Sequence, residues 1–390
     1  MLRPVLWVAI ALISLLSLSS CTPVSAEDRL FAPMSLEFLG EYTLPPQTVD
    51  GIPVGGLSAI AYDRARDRYY ALSDDSSRAA ARFYTLRIDL ASEDTTPSIA
   101  NVVIESVTRL TSEAIQEYTT DSLDPEGIAI TPRQTLYIAT EGSASQSIPP
   151  AIDEFDRATG QHQRRLPIPQ RLVPQTIDER SSGVGDNLGF ESLTLLSSGS
   201  TVGNGSGDGY VEPFRVFAAI EAPLQQDLPA ANADGEVPVP LRLLHYLVAD
   251  DRSTLLAEHR YDLDPAPDLA IGNGLTEILV LDQAGHFLSL ERAYGLFGFS
   301  ATLFQFVIAD ATDISGIPRL IGDISTIQPV RKQLAFALSD LVDQGIRLDN
   351  LEGMTLGARL PDGSQSLLLV SDDNFRPEQS TQFLLFRLRM

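Results

Sequence analysis

Cysteine is almost absent from this chain: Cys21 is the only one in 390 residues, so no disulfide can form within it. Histidine is nearly as scarce, with only His162, His245, His259 and His286. Three of these lie in segments that read as strands and His286 lies in an Ala-Gly-His turn, so a catalytic histidine is not expected. No histidine pair has zinc spacing. There is no Gly-x-Ser-x-Gly elbow, no Walker loop, no dinucleotide fingerprint and no EF-hand loop. Lysine is scarce, and positive charge is in deficit: 28 Lys and Arg stand against 52 Asp and Glu, a net charge of −24 with pI ≈ 4.4. That balance argues against a nucleic-acid partner, because neutralising phosphates requires clustered basic residues. After the apolar run at 5–18 no comparable run recurs, and this one is short for a membrane span.

What the chain does contain is one short pattern written five times. An acid or glycine opens an apolar run, a turn follows, and a second run closes on another acid. The copies are 56–62 with 69–75, 126–130 with 136–141, 191–196 with 216–221, 277–281 with 287–292, and 352–356 with 367–373. A two-strand unit recurring at this scale predicts a radial array, an all-β propeller of four-stranded blades. Five blades are counted; six stay open, because long segments surround the third and fourth copies.

The hairpin geometry makes the acids converge. A strand that begins after an acid and an antiparallel partner that ends before another have those ends side by side. Glu126 is therefore expected beside Glu141, Glu191 beside Glu221, Glu277 beside Glu291, and Glu352 beside Asp372. In the first copy Gly56 holds the leading place, and Asp74 and Asp75 close it. Around one axis these ends form a ring of carboxylates at one mouth. Like charges so close raise one another's pKa unless a cation neutralises them. Carboxylates and backbone carbonyls suit a hard cation, above all calcium. The metal candidates are Asp74, Asp75, Glu126, Glu141, Glu191, Glu277, Glu352, Asp372 and Asp373. Arg82, Arg292 and Arg376 follow acids in the pattern and stand ready either to pair with acids or to bind an anion.

Outer strands are expected at 82–89, 151–156, 241–248, 302–309 and 382–388, then at 100–110, 162–168, 255–262 and 333–341. The last blade runs out of chain, so 36–44 is expected to supply its missing strand and close the ring. Residues 112–118 read as a helical turn or two, the Gly-Ser-rich 197–209 as a hairpin insertion and 224–240 as a surface loop. At the N-terminus Arg3 precedes the apolar run, and Leu-Ser-Ser-Cys at 18–21 resembles a bacterial lipobox. A lipid anchor at Cys21 is the expectation; Val-Ser-Ala at 24–26 offers ordinary signal cleavage and secretion instead. Residues 1–26 are set aside as a signal segment and 27–390 form one domain, expected as a monomer in the periplasm or on the cell surface.

Several stretches together resemble a known family. Asp-Pro-Glu-Gly-Ile-Ala at 124–129, Asn-Leu-Gly-Phe-Glu-Ser-Leu-Thr at 187–194, Gly-Leu-Thr-Glu-Ile-Leu-Val-Leu-Asp at 274–282 and Asn-Leu-Glu-Gly-Met-Thr at 350–355 look like the phytase-like domain called "esterase-like activity of phytase". The start Gly-Leu-Ser-Ala-Ile-Ala-Tyr-Asp at 56–63 and the ending Leu-Ser-Asp-Asp at 72–75 fit too. The resemblance covers about residues 36–390. It implies a secreted or membrane-anchored β-propeller related in name to calcium-dependent propeller phytases, enzymes in which several calcium ions sit beside an acidic channel mouth and water attacks a phosphomonoester.

Three functions follow as expectations. The first is calcium-dependent hydrolysis of a small anionic phosphate ester, with Glu191 or Glu352 as base and Arg292 steadying developing charge. The second is a non-catalytic scaffold or ligand-binding propeller holding a structural cation. The third is a carboxylester hydrolase, ranked last because neither Ser58 nor Ser192 has a histidine beside it.

Overall fold

Alternating apolar residues in short runs, each closed by a turn, form strands that bury both faces between neighbouring sheets. A computed structural model describes residues 30–75, 79–93, 96–118, 123–177, 180–197, 212–228, 239–250 and 252–390. From Met34 onward the chain builds five antiparallel four-stranded sheets, with two short hairpins besides. Blade 1 is Leu57–Asp63, Arg68–Ser73, Arg82–Glu93 and Thr96–Arg109; blade 2 is Pro125–Ile130, Leu136–Thr140, Ala151–Phe155 and His162–Arg165. Blade 3 is Phe190–Ser197, Phe214–Ile220, Val239–Val248 and Ser253–Leu263; blade 4 is Ala270–Val280, His286–Gly295, Gly298–Val307 and Arg331–Ala337. Blade 5 is Asn350–Arg359, Gln365–Asp372 and Gln382–Arg389, completed on its outer edge by the N-terminal strand Ser35–Thr43.

The first strands of blades 1 to 5 touch in cyclic order, so the ring closes with five blades and has no place for a sixth. The core lies between the sheets. Phe217, Phe287 and Phe306 stack between blades 3 and 4, while Leu57, Ile60, Val370 and Phe383 pack between blades 5 and 1. Full burial of each such side chain contributes about 1.5–3 kcal/mol.

The expected outer strands are present, except that the one read at 333–341 ends at Ala337 and gives way to the helical turn Ser339–Val342, and the closing pair is present too. Ser35 lies opposite Arg389 and Thr43 opposite Gln382, with a slip between Phe38 and Gly40. Glu37 bonds Arg387 at 2.6 Å and Arg389 at 3.1 Å, but its side chain is 48% exposed. A solvated pair of this kind contributes only about 0.2–1 kcal/mol. The backbone ladder and the edge contact of Phe38 on Phe386, 5.4 Å between ring centres, hold the closure instead.

One expectation fails. Residues 112–118 are not helical: Thr111 bridges Glu117, and its N–H donates to Gly160 O at 2.8 Å, so the segment closes as a loop against blade 2. The insertion expected at 197–209 falls outside the described residues from 198 on, as do residues 229–238 of the loop expected at 224–240 and Cys21; the described ends of that loop are not surface coil, since Leu224, Gln226 and Asp227 are buried and Val239 and Pro240 already belong to a strand. Gln225–Asp227 forms a single 3-10 turn. No helix among the described residues is long and apolar enough to cross a membrane.

Candidate metal centre

Each blade's first strand slips register at one equivalent place, and the first strands of blades 4 and 5 carry a second slip elsewhere. A bulge sets two residues opposite one and bends the strand, re-aiming the extra side chain. The slip falls between Leu57 and Ala59, Pro125 and Gly127, Phe190 and Ser192, Leu275 and Glu277, and Leu351 and Gly353. The extra residues are Ser58, Glu126, Glu191, Thr276 and Glu352. On the second strand, one step beyond the residue paired at the slip, stand Asp74, Glu141, Glu221, Arg292 and Asp372. The blades thus contribute two sets of equivalent positions, with acids at seven of ten, hydroxyls at two and an arginine at one.

These side chains meet. Carboxylate oxygens of Asp124, Glu126 and Glu141 lie within 4.8 Å of one another, as do those of Glu141, Glu191 and Glu221. Glu141 belongs to both groups and is fully buried. Its Oε1 accepts from Gly189 N at 3.3 Å, while its Oε2 has no hydrogen-bond partner among the described residues. Arg292 reaches across blades: Nη2 donates to Glu352 Oε1 at 3.1 Å and lies 3.4 Å from Glu221 Oε1. Asn350 Nδ2 donates to Glu352 Oε1 at 2.7 Å, which turns the amide so that Oδ1 is left buried without a partner. Small residues make room for this crowding. A Cβ on Gly274 would fall 2.4 Å from Glu221 Oε1, and one on Gly56, whose φ is +63°, would fall 2.4 Å from Asp74 Oδ1.

Burial and mutual repulsion act together on these acids. Burial first, then Asp372, Asp124 and Asp75, push Asp74 up to about 9. Asp372 rises to about 7, by burial and then Asp373, against the hydrogen bond from Asn374 N. Glu126, Glu141, Glu191 and Glu352 are all held well above the usual carboxylate range, by burial first and then by one another. Burial alone would lower Arg292, but Glu352, Glu221 and Glu191 outweigh it and keep the guanidinium charged. Eight carboxyl groups (Asp74, Asp124, Glu126, Glu141, Glu191, Glu221, Glu352 and Asp372) face one arginine. They cannot all be ionised without further positive charge. Partnerless buried acceptors, all of them oxygen, match a hard cation and offer nothing to a soft one.

Blade 4 departs from the expected pattern by one residue. Its acids fall one place late in the first strand and one place early in the second. Glu277 therefore occupies the position held elsewhere by Ala59, Gly127, Ser192 and Gly353. Its carboxyl accepts from Ile278 N at 3.0 Å and from Leu193 N of blade 3 at 3.4 Å. Burial raises it while backbone amides, Met354 of blade 5 included, pull the other way. Glu291 turns to the opposite face, where its carboxylate meets Tyr261 Oη at 2.7 Å, Asp264 N at 3.0 Å and Lys332. Glu277 and Glu291 are thus not the neighbours the pattern suggested. A shift of one residue along a strand exchanges the faces its side chains point to.

Of the other candidates, Glu126, Glu141, Glu191, Glu352, Asp74 and Asp372 are brought together. Asp373 is spent on structure: Oδ1 accepts from Gly56 N at 2.9 Å and Phe375 N at 3.1 Å, and Oδ2 from Thr381 Oγ1 at 3.2 Å. Asp75 lies 3.8 Å from Arg82, which is wholly buried and donates to Asp75 O at 2.7 Å and Tyr84 Oη at 2.8 Å. Arg82 is thus occupied inside its blade, and Arg376 is exposed. His162 sits 3.4 Å from Asp153, His245 stacks on Phe217 and His286 bonds Asp282.

Asp124, Glu221 and Asn350 join the centre without having been singled out as ligands. Each had a signal: Asp124 directly precedes a strand and Asn350 opens one, both two residues before a bulge acid, and Glu221 closes the run that pairs with Glu191's strand.

A scan against protein families matches residues 52–375 to the phytase-like family described as "Esterase-like activity of phytase". No curated protein matches the chain significantly. Among solved structures, an endo-arabinase from Bacteroides thetaiotaomicron aligns with 90% of this chain and 98% of its own at 10% identity and a TM-score of 0.38. The catalytic domain of an alpha-L-arabinofuranosidase from Coprinopsis cinerea aligns with 89% of this chain and 95% of its own, at 10% identity and a TM-score of 0.38. Likeness at that level carries no statement about chemistry.

Proposed function

Because the chain belongs to the phytase-like family "Esterase-like activity of phytase", we propose that it is an exported, calcium-dependent hydrolase of small phosphate esters acting at the propeller's acidic mouth. The observation that carries this reading is the set of eight crowded carboxyl groups around one arginine, with Glu141 Oε2 and Asn350 Oδ1 unpartnered. Asp124, Glu126, Glu141, Glu191 and Glu221 are the residues that would hold calcium. When bound, the ion supplies the positive charge that lets the acids ionise together and lets a phosphate approach them.

The chain's own groups divide the remaining tasks. Among the described residues no hydrogen bond reaches the Glu191 carboxyl, so its oxygens stay open to take a proton, and once a bound cation offsets the burial and the neighbouring acids that raise its pKa it takes the role of general base. Glu352, clamped by Asn350 and Arg292, serves to orient. Arg292 keeps a buried, unmatched Nε–H beside the two acids it bridges, a donor for oxygen that gains charge. The apolar run at 5–18 and the Leu-Ser-Ser-Cys that follows support export with a lipid anchor on Cys21.

The test is hydrolysis of p-nitrophenyl phosphate and phytate by the domain lacking residues 1–26, with calcium and then with excess chelator. Turnover that vanishes with chelator and returns with calcium is expected. Calcium that raises the melting temperature while neither ester is cleaved overturns the hydrolase reading in favour of a binding propeller.

A further inference from the structure

Outside the residues of the acidic centre, the described surface gathers three arginines around one cavity. It has a volume of about 900 Å³ and is lined by Arg171, Arg180, Ser181, Ser182, Gln225, Gln226, Pro318 and Arg319, with no acid among the described residues of its wall. In a chain with 52 acidic residues and 28 basic ones, three arginines on the described wall of one hollow run against the composition.

The walls are fixed to one another. Gly183, which follows the hairpin strand Arg180–Ser182, donates to Gln226 Oε1 at 2.8 Å, and its O accepts from Gln225 N at 2.9 Å. Gln226 Nε2 returns to Arg171 O at 3.0 Å. Arg319 Nε donates to Gln226 O at 3.3 Å, and Leu320 N donates to Asp227 Oδ1 at 2.7 Å. Beneath them Arg242, wholly buried, joins Asp227 at 2.8 Å to Glu258 at 3.0 Å.

The charges in this frame are unequally used. Arg171 is bonded to Glu258 at 2.5 Å. Arg180 and Arg319 are exposed, and among the described residues no carboxylate lies within 4.0 Å of either guanidinium. Asp178 and Glu179, in the turn before Arg180, lie outside the described residues.

We propose that this cavity is a second, metal-independent binding site that takes a small phosphate-bearing molecule. Guanidinium forks bind phosphate bidentately, and Ser181, Ser182 and Gln225 supply neutral hydrogen-bonding groups for the rest of such a molecule. The cavity is far larger than a bare phosphate, which favours a phosphorylated polyol over the free ion. The site shares no residue with the acidic mouth, so it stands or falls independently of the hydrolase reading.

Calorimetric titration of the chelator-treated protein with phytate and, separately, with inorganic phosphate tests it. Phytate is expected to bind one to one without calcium, with inorganic phosphate competing weakly for the same site. The double variant Arg180→Gln, Arg319→Gln is expected to weaken phytate at least tenfold, with its melting temperature little changed, because both residues are exposed and only the 3.3 Å bond from Arg319 Nε to Gln226 O is lost. Glu191→Gln is expected to leave this binding intact. No binding in the absence of calcium, equal binding by the double variant, or loss of binding in Glu191→Gln would each overturn the proposal.

Discussion

Arg292 of blade 4 donates to Glu352 of blade 5 across 3.1 Å, and the same Nη2 lies 3.4 Å from Glu221 of blade 3. One guanidinium therefore links three blades. It occupies the place where four other blades carry Asp74, Glu141, Glu221 and Asp372.

Removing it leaves two buried acids unpaired. Arg292→Gln is expected to destabilise the chelated protein by about 3–5 kcal/mol, the usual cost of breaking a buried pair from one side. Added calcium is expected to recover most of that loss. Denaturant unfolding with and without calcium checks it; equal stability of variant and parent in chelator would show that the acids are neutral without Arg292.

The one-residue offset in blade 4 separates acids by function. Glu191→Gln and Glu352→Gln are expected to weaken calcium at least tenfold in calorimetric titration. Glu291→Gln is expected to stay within about twofold, since its carboxylate faces away from the centre and is already neutralised by Lys332 and bonded to Tyr261. Similar losses from Glu352→Gln and Glu291→Gln would refute the register argument.

Protonation gives a pH dependence with a definite sign. Asp74 and Asp372 have folded-state values of about 9 and about 7, above the ordinary 3.8. The folded state then holds more protons than the unfolded one between those limits, so stability falls as pH rises. In chelator, the melting temperature is expected to drop on the order of 5 °C from pH 5 to pH 9. Calcium is expected to flatten or reverse that slope. A chelated protein that melts at higher temperature at pH 9 than at pH 5 would contradict the burial of these charges.

The glycines before the bulges are open to a direct check. Gly274→Ala would set a Cβ 2.4 Å from the Glu221 carboxylate, the end of a flexible side chain, whereas Gly189→Ala would set one 2.1 Å from Glu141 O, a fixed backbone atom. The first is expected to weaken calcium with little change in melting; the second is expected to destabilise by about 1–3 kcal/mol, as overpacking does. Calorimetry and thermal melts on both variants distinguish the two effects.

The sequence carried the fold further than it carried the centre. Strand-forming alternation and repeated acids were enough to read the blades, and the unpaired last blade was enough to read the closing strand Ser35–Thr43. Glu126, Glu191 and Glu352 were legible because each sits on a bulge followed by a small residue. Blade 4 misled because Thr276 holds the bulge while the acid that caught the eye, Glu277, is its neighbour. A bulge adds a residue without adding a turn residue to mark it, so register inside a strand is invisible to pattern. Asp373 misled in another way: its neighbours along the chain are acidic, but its lone pairs are claimed by Gly56, Phe375 and Thr381 from two distant segments and its own turn.

The strand that completes blade 5 also sets a timetable. Glu37 and its partner Arg387 are 350 positions apart. At roughly 5–20 residues per second of synthesis, the early strand leaves the ribosome roughly 20–70 seconds before the strand it must join. Through that interval its edge, and the side of blade 1 that rests against blade 5, stay open to the wrong partner. The ring therefore cannot latch until Gln382–Arg389 has been made, and anything that holds the N-terminal segment apart, or trims that strand, should trap four assembled blades beside an unlatched fifth.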